Sequence, residues 1–181
     1  MALLAEGILK QHWDQSIPVN LAHILKSMGV RLQMHDALDC SARLCMDSDN
    51  RATVQLSRQL LNMHQRYAVA HALAHIALHH LRPGMQRALY VGRDFRVDVA
   101  SPSALEANDF ALRLLMPEAA VRYAVSHMRA QCAAELEHVF AVPTLLVQQR
   151  LSDLGLQLPA DAAAPARRRL RWAQQQPIQD V

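Results

Sequence analysis

Five of the ten histidines lie within seventeen residues of the chain, at spacings that could bind a metal ion: His64, His71, His75, His79 and His80. A helix places His71 and His75, four residues apart, on one face and one turn apart, where both rings can reach a single Zn²⁺. His79 extends the same stripe. It lies about 12 Å from His71 along the helix axis, because each residue adds about 1.5 Å, so these two cannot share an ion.

A second interpretation is that these histidines belong to the core. The segment from Tyr67 to His79 is apolar on every side apart from its imidazoles, which predicts a buried helix. An imidazole buried without a partner costs about 1–3 kcal/mol, so each would need a hydrogen bond to the backbone or to a carboxylate. Two histidines at this spacing, taken alone, favour the core interpretation.

The residues before this helix predict two helices followed by a small sheet. Pro18 opens the second helix and Gly29 ends it. Alternating apolar and polar residues mark the strands, and the turn Asp47–Asn50 makes the last two antiparallel. The predicted helices cover residues 2–13 and 18–29, and the predicted strands cover residues 30–34, 44–46 and 53–56.

Helices dominate the second half of the chain, which makes the fold class α+β. Ser101 and Pro102 are a favourable N-cap and first helical residue, and a stretch of mixed character precedes them. Predicted helices cover residues 59–81, 101–116, 133–140 and 143–154, and Pro117 opens a further one. One domain is expected over residues 1–157, whose residues 133–157 are loosely helix-turn-helix-like, followed by an Ala/Pro/Arg/Gln-rich tail at residues 158–181.

Composition excludes several classes of protein. The chain has 181 residues, 51% of them apolar, and no apolar run near the roughly 20 residues of a membrane-spanning helix. The N-terminus reaches Glu6 without a basic leader, which predicts a cytoplasmic protein.

A net charge of +3 is too mild for a general nucleic-acid binder. Cys40, Cys45 and Cys132 fit reduced thiols better than a disulfide framework, and a metal pair of Cys40 and Cys45 is the less favoured alternative.

The segment from Tyr67 to His80 resembles the active helix of the ImmA/IrrE metallopeptidases. The segments Glu106–Ala111 and Leu114–Pro117 resemble that family's second signature, and the similarity extends over roughly residues 5–157. The resemblance implies a zincin-like fold, in which a small sheet packs on the histidine helix and further helices follow. It also implies a bacterial or phage protein, whose better-known relatives relieve transcriptional repression by cleaving a helix-turn-helix repressor.

Two alanines stand where this family carries acids. In HExxH enzymes the residue after the first histidine is a glutamate that takes a proton from the zinc-bound water. This chain reads HALAH, and that position is Ala72. The family's third metal ligand is usually a glutamate at the position of Ala104. Loss of a general base typically lowers the rate by about 10²–10⁴, so we expect no appreciable peptidase activity.

The resemblance assigns His71 and His75 as metal ligands, with Glu106 as the nearest substitute for the third. On a helix that starts near Pro102, position 106 lies about 200° around from position 104 and faces solvent, so Glu106 is a weak candidate. Two histidines alone make a poor zinc site, because a catalytic one normally has three protein ligands. We therefore expect zinc to be bound at low occupancy or not at all.

Two further residues are candidates to hydrogen-bond the ligands and orient them. Asn108 keeps its place in the second signature, and His79 continues the histidine stripe. Such partners fix the ring orientation of a metal-binding histidine.

The leading functional hypothesis is a pseudoprotease that regulates a helix-turn-helix transcriptional repressor, or another protein partner, by binding it. The alternative is a zinc-dependent endopeptidase that cleaves such a repressor. Its general base would then have been removed by engineering or replaced by Glu106 or Asp109. Ala72 and Ala104 are accordingly either natural or engineered replacements.

A DNA-binding protein that acts through residues 134–171 is the lesser alternative. A helix that reads DNA presents several polar side chains on one face. Here Gln148, Gln149 and Arg150 are bunched near the end of the helix, which favours two packed core helices. The cluster Arg167–Arg171 could contact phosphates or an acidic partner, although a solvated tail is favoured.

Overall fold

The computed structural model describes residues 2–91 and 101–158, and this part of the chain contains seven helices and four strands. In chain order they are α1 (Ala2–His12), α2 (Leu21–Ser27), β1 (Arg31–His35), β2 (Ala42–Met46), β3 (Ala52–Ser57), α3 (Asn62–Ala77), β4 (Gln86–Leu89), α4 (Pro102–Leu115), α5 (Glu118–Ser126), α6 (Ala133–Phe140) and α7 (Thr144–Asp153). The predicted α+β class is confirmed.

The strands form one mixed sheet in the order β1-β3-β2-β4. β2 runs antiparallel to β3, as the turn predicts, and β4 runs antiparallel to β2, whereas β1 is parallel to β3. Side chains alternate between the two faces of a strand. This alternation buries Leu44, Val54 and Leu56, and β2 and β3 pack against α3.

Helix α3 lies at the centre of the structure, and every residue from Tyr67 to His75 is buried. It packs against the sheet and, more extensively, against α4, which also contacts α1. The predicted small sheet on the histidine helix is therefore present. Because α3 is covered by both the sheet and α4, polar groups on it are shielded from water on both sides.

The end of α3 differs from the prediction and shapes the site. The helix ends at Ala77 rather than at residue 81. His79 adopts a left-handed φ of 54°, its N–H donates to the Ile76 carbonyl at 3.1 Å, and the His80 N–H donates to the His75 carbonyl at 2.9 Å. This pair of bonds is a Schellman motif. The chain reverses there, and His80 folds back along the last turn of α3.

Two other predictions about the elements are wrong. Pro18 does not open α2, because the Asn20 side chain accepts a hydrogen bond from the His23 N–H at 3.0 Å and the helix begins at Leu21. Asparagine is among the best N-cap residues. Strand β4 lies inside the stretch expected to have mixed character. It has only four residues, none of them β-branched, so the sequence carries little strand signal there.

Within the described residues, no helix is both long enough and apolar enough to cross a membrane.

Candidate functional site

The structure brings His71 and His75 together on the buried face of α3. Their Nε2 atoms lie 3.1 Å apart, and the two residues are only 1% and 0% exposed. One helical turn separates them, as their spacing predicts. Two ring nitrogens therefore converge on one point in the interior.

His80 extends this pair into a chain that ends at a carboxylate. The Nδ1 atoms of His75 and His80 lie 2.8 Å apart, and His80 Nε2 lies 3.2 Å from Glu106 Oε2 on α4. Glu106 is partly exposed, so the chain runs from the edge of solvent into the core. We call His71, His75, His80 and Glu106 the imidazole chain.

His79 lies outside the imidazole chain, contrary to the expectation that it extends the stripe. Helix α3 ends two residues before it, and the side chain is exposed. The Schellman motif reverses the backbone at His79, so that His80 rather than His79 contacts His75. A helical projection of the sequence cannot show this, because it continues the helix beyond Ala77, where the helix ends.

Burial lowers the pKa of both core histidines, to about 4 for His71 and about 3 for His75. The nearby positive charge of Arg87 lowers both pKa values further. A side-chain interaction with Asn108 raises the pKa of His71, although His71 Nδ1 has no partner within normal hydrogen-bond geometry. Both rings are therefore neutral at pH 7, when each carries one N–H and one acceptor nitrogen.

Asn108 reaches the site from α4 and is held by a tyrosine of α3. The Tyr67 hydroxyl donates to Asn108 Oδ1 at 2.9 Å, and the rings of Tyr67 and His71 lie 6.1 Å apart. Asn108 is thereby placed beside the first histidine of the pair. Its role in orienting that ring stays a prediction.

The two alanines at the positions where the sequence resemblance expects acids lie in the core. Ala72 follows His71 on α3 and is fully buried, and Ala104 is buried on α4 on the same side as Ala107 and Ala111. A methyl group neither accepts a proton nor binds a metal. The two positions where the resemblance expects a carboxylate are thus apolar.

The acids of α4 do not take over these roles. Glu106 contacts His80 rather than the converging Nε2 atoms. Asp109 accepts two hydrogen bonds from Arg113 Nε, at 3.0 and 2.9 Å. The expectation that position 106 faces away from position 104 agrees with this placement, since Ala104 is buried and Glu106 is partly exposed.

Arg87 is a site residue that the sequence did not single out. It lies on β4, opposite Leu44 of β2, and its Nη2 donates to Ser103 Oγ on α4 at 3.1 Å. Its charge acts on both core histidines. The position of Arg87 depends on β4, for which the sequence carries no clear pattern, so no local signal would have found it.

The donor atoms present do not fit the zinc that the sequence resemblance implies. Two Nε2 atoms converge, but position 104 supplies no third ligand and Glu106 is engaged with His80. Over residues 2–91 and 101–158, no group of three or more His, Cys, Asp or Glu side chains is arranged to hold a metal ion. The less favoured alternative, a metal held by Cys40 and Cys45, finds no support among these residues either.

The C-terminal helices α6 and α7 pack against each other, and the arrangement disfavours DNA reading by α7. Arg150 is only 3% exposed, and its Nε donates to the Met116 carbonyl at 3.0 Å. Gln149 donates to Asp153 within the same helix. The basic cluster Arg167–Arg171 lies outside the described residues.

Comparisons with known proteins agree with this architecture. The peptidase M78 family model, described as the IrrE N-terminal-like domain, matches residues 25–152. Among solved structures, a Mycobacterium tuberculosis transcriptional regulator superposes with a TM-score of 0.57 at 20% sequence identity, covering 83% of this chain and 46% of that one. The present chain thus spans less than half the length of that protein. No curated protein matches the sequence.

Proposed function

The chain belongs to the peptidase M78 family, the IrrE N-terminal-like domains, and from this membership we propose that it is a catalytically inactive member that regulates a helix-turn-helix transcriptional repressor by binding it. One observation carries the proposal. The His71–His75 pair is buried and convergent, while alanine occupies both positions where the chemistry needs an acid.

The missing groups are expected to remove hydrolysis. Position 72 carries no carboxylate to take a proton from an attacking water, and loss of such a general base typically lowers the rate by about 10²–10⁴, or roughly 3–5 kcal/mol of barrier. Without a ligand at position 104 the zinc itself would be weakly held. The packed α3–α4 scaffold remains, and we expect it to bind a partner without cleaving it.

The partner is inferred from the family and from the fold. The resemblance points to helix-turn-helix repressors as the proteins that such domains act on. The structural neighbour carries the description of a transcriptional regulator, which supports a regulatory role at the level of fold. A partner that binds the intact scaffold would be sequestered or displaced from DNA without being cut.

The test uses the full chain and a helix-turn-helix repressor from the same genome, chosen first among any that are encoded beside its gene. We expect binding in isothermal titration calorimetry and an unchanged repressor on a gel after incubation with added Zn²⁺. Absence of binding would contradict the regulatory role. Cleavage that a chelator abolishes would contradict inactivity.

A second candidate is a zinc endopeptidase, and one distance favours it. Zn–N bonds of about 2.0–2.1 Å place two tetrahedral ligand nitrogens about 3.3 Å apart, and the His71 and His75 Nε2 atoms lie 3.1 Å apart. The pair thus keeps a spacing suited to one metal ion. Substitutions that restore the acids, Ala72→Glu and Ala104→Glu, separate this candidate from the first.

A further inference from the structure

A groove of about 1160 Å³ lies between α1 and α5, and none of its lining residues belongs to the imidazole chain. Its floor is apolar, because Leu9 and Ala120 are buried there. Trp13 and Ile17 are partly buried along it, and Tyr123 is 52% exposed at its edge. Contiguous apolar surface that borders on polar side chains is typical of protein–protein contacts.

One stripe of α1 faces this groove and continues beyond it. Glu6, Lys10 and Trp13 line the groove, and Leu3, three residues before Glu6, is 84% exposed. Spacings of three, four and three residues keep these four side chains on one side of a helix. Trp13 follows the end of α1, but its N–H donates to the Leu9 carbonyl at 2.9 Å, so the last turn includes it.

The order of residues in this stripe is self-complementary. A second α1 that runs antiparallel, across a two-fold axis near position 8, places Glu6 opposite Lys10 of the second copy. The same axis places Leu3 opposite Trp13 of the second copy, because both pairs are centred on position 8. In a two-fold interface each of these contacts occurs twice. An acid then meets a base, and an exposed leucine meets an aromatic ring.

The charges that line the groove balance. They are two acids and two bases: Glu6, Glu118, Lys10 and Arg122. The two on α5 bind each other at 2.7 Å. Glu6 and Lys10 are exposed, and neither forms an ion pair with another residue of 2–91 or 101–158. The charge of Glu6 reaches Arg113 of α4, which is itself bound to Asp109. A surface with equal numbers of both signs fits a copy of itself better than a partner of one sign.

We propose that two copies of this chain associate through α1 and the groove beside it, with the two α1 helices antiparallel about a two-fold axis. Leu3 of each copy then lies at the mouth of the other copy's groove. This removes from water the most exposed large apolar side chain of the described residues. The imidazole chain takes no part in the contact, so the dimer does not depend on the proposed function.

Sedimentation velocity of the full chain, at protomer concentrations from about 1 μM to about 1 mM, measures the association. We expect a concentration-dependent dimer. Leu3→Ser should weaken it by at least about tenfold, because the two-fold axis removes two leucine contacts at once. Leu4→Ser is the matched control, since Leu4 is 48% exposed and lies about 100° around the helix from Leu3. A monomer at every concentration, or an equal loss in both variants, would overturn the proposal.

Charge reversals test the antiparallel register. Glu6→Lys and Lys10→Glu, each alone, place like charges opposite each other twice and should weaken the dimer by at least about tenfold. The double variant restores opposite charges and should recover the wild-type affinity to within about threefold. An equimolar mixture of the two single variants should also form a dimer, because a copy with two lysines then meets a copy with two glutamates. Recovery in neither case would reject the proposal.

Other occupants of the groove give different outcomes, and each of these overturns the proposal. A monomer in which Leu3→Ser abolishes repressor binding assigns the groove to a partner protein. A monomer in which Leu3→Ser shifts the amide NMR resonances of residues 167–172 assigns it to the C-terminal tail. A dimer that survives all of these substitutions uses another surface.

Discussion

The Nε2 atoms of His71 and His75 lie 3.1 Å apart, a hydrogen-bond distance. Because both rings are neutral at pH 7, a single proton shared between these atoms satisfies both nitrogens. The spacing that suits a metal ion thus also suits a direct bond between the rings. Which of the two occurs depends on the groups around them, above all on positions 72 and 104.

A glutamate at position 104 should create zinc affinity. We expect Ala104→Glu to raise the affinity for Zn²⁺ by about 100-fold or more, since even an outer partner of a metal ligand is typically worth about 10–100-fold. Isothermal titration calorimetry with Zn²⁺ measures the change. Leu105→Glu is the matched control, because it adds the same charge at the exposed neighbouring position. A similar gain in both variants would show that the charge alone is responsible.

Peptidase activity should require both acids. We expect Ala72→Glu alone to leave the chain inactive, because the metal is still poorly held, and Ala72→Glu with Ala104→Glu to cleave the repressor in the presence of Zn²⁺. Gel analysis of the repressor with and without chelator measures this. Activity in the single variant would favour the endopeptidase as the function of the scaffold. A double variant that binds zinc without cleaving would indicate that the scaffold has lost more than its two acids.

Acid should destabilise the folded chain through the core histidines. Their pKa values are about 4 and about 3 in the folded state, against an ordinary value of about 6.5. The unfolded chain therefore binds more protons between these values. The contribution of the two neutral rings to the free energy of unfolding is fully present above pH 6.5 and is lost as the pH falls toward 3. The slope is up to about 1.4 kcal/mol per pH unit for each histidine.

Urea unfolding of the wild type and of a His71→Gln, His75→Gln variant, between pH 7 and pH 4.5, measures this effect. The carboxylates contribute the same pH dependence to both proteins. The difference between their free energies of unfolding therefore reports the contribution of the two histidine rings. We expect a clearly shallower slope in the variant. Parallel curves would contradict the burial of neutral imidazoles.

The left-handed residue at the end of α3 offers a test of the turn that positions His80. His79 has a φ of 54° and an exposed side chain. A non-glycine residue pays a steric penalty there, whereas glycine does not. We expect His79→Gly to stabilise the chain by about 0.5–1 kcal/mol, which is about 2 °C in melting temperature for a chain of this length. His79→Ala keeps the penalty and should not stabilise, so a gain in both variants would place the effect elsewhere.

What could be predicted from the sequence depended on local patterns. The buried α3 helix and the meeting of His71 with His75 follow from apolar periodicity and a four-residue spacing. His80 and Arg87 could not be predicted in this way. His80 depends on a Schellman turn that lacks its usual glycine, and Arg87 depends on a four-residue strand whose partner, β2, lies about forty residues earlier.

The imidazole chain predicts a definite set of tautomers at pH 8, well above the ordinary imidazole pKa of about 6.5. A carboxylate only accepts hydrogen bonds, so His80 donates from Nε2 to Glu106 and accepts at Nδ1. His75 must then carry its proton on Nδ1 and accept at Nε2, and His71 must carry its proton on Nε2. Nitrogen-15 NMR of the ring nitrogens distinguishes these forms. In a Glu106→Gln variant the direction of the hydrogen bonds along the imidazole chain is no longer imposed, because the amide can donate as well as accept. We therefore expect the His75 ring to show both tautomers. A His75 proton on Nε2 in the wild type would contradict this order of hydrogen bonds, because Nδ1 could then no longer donate to His80.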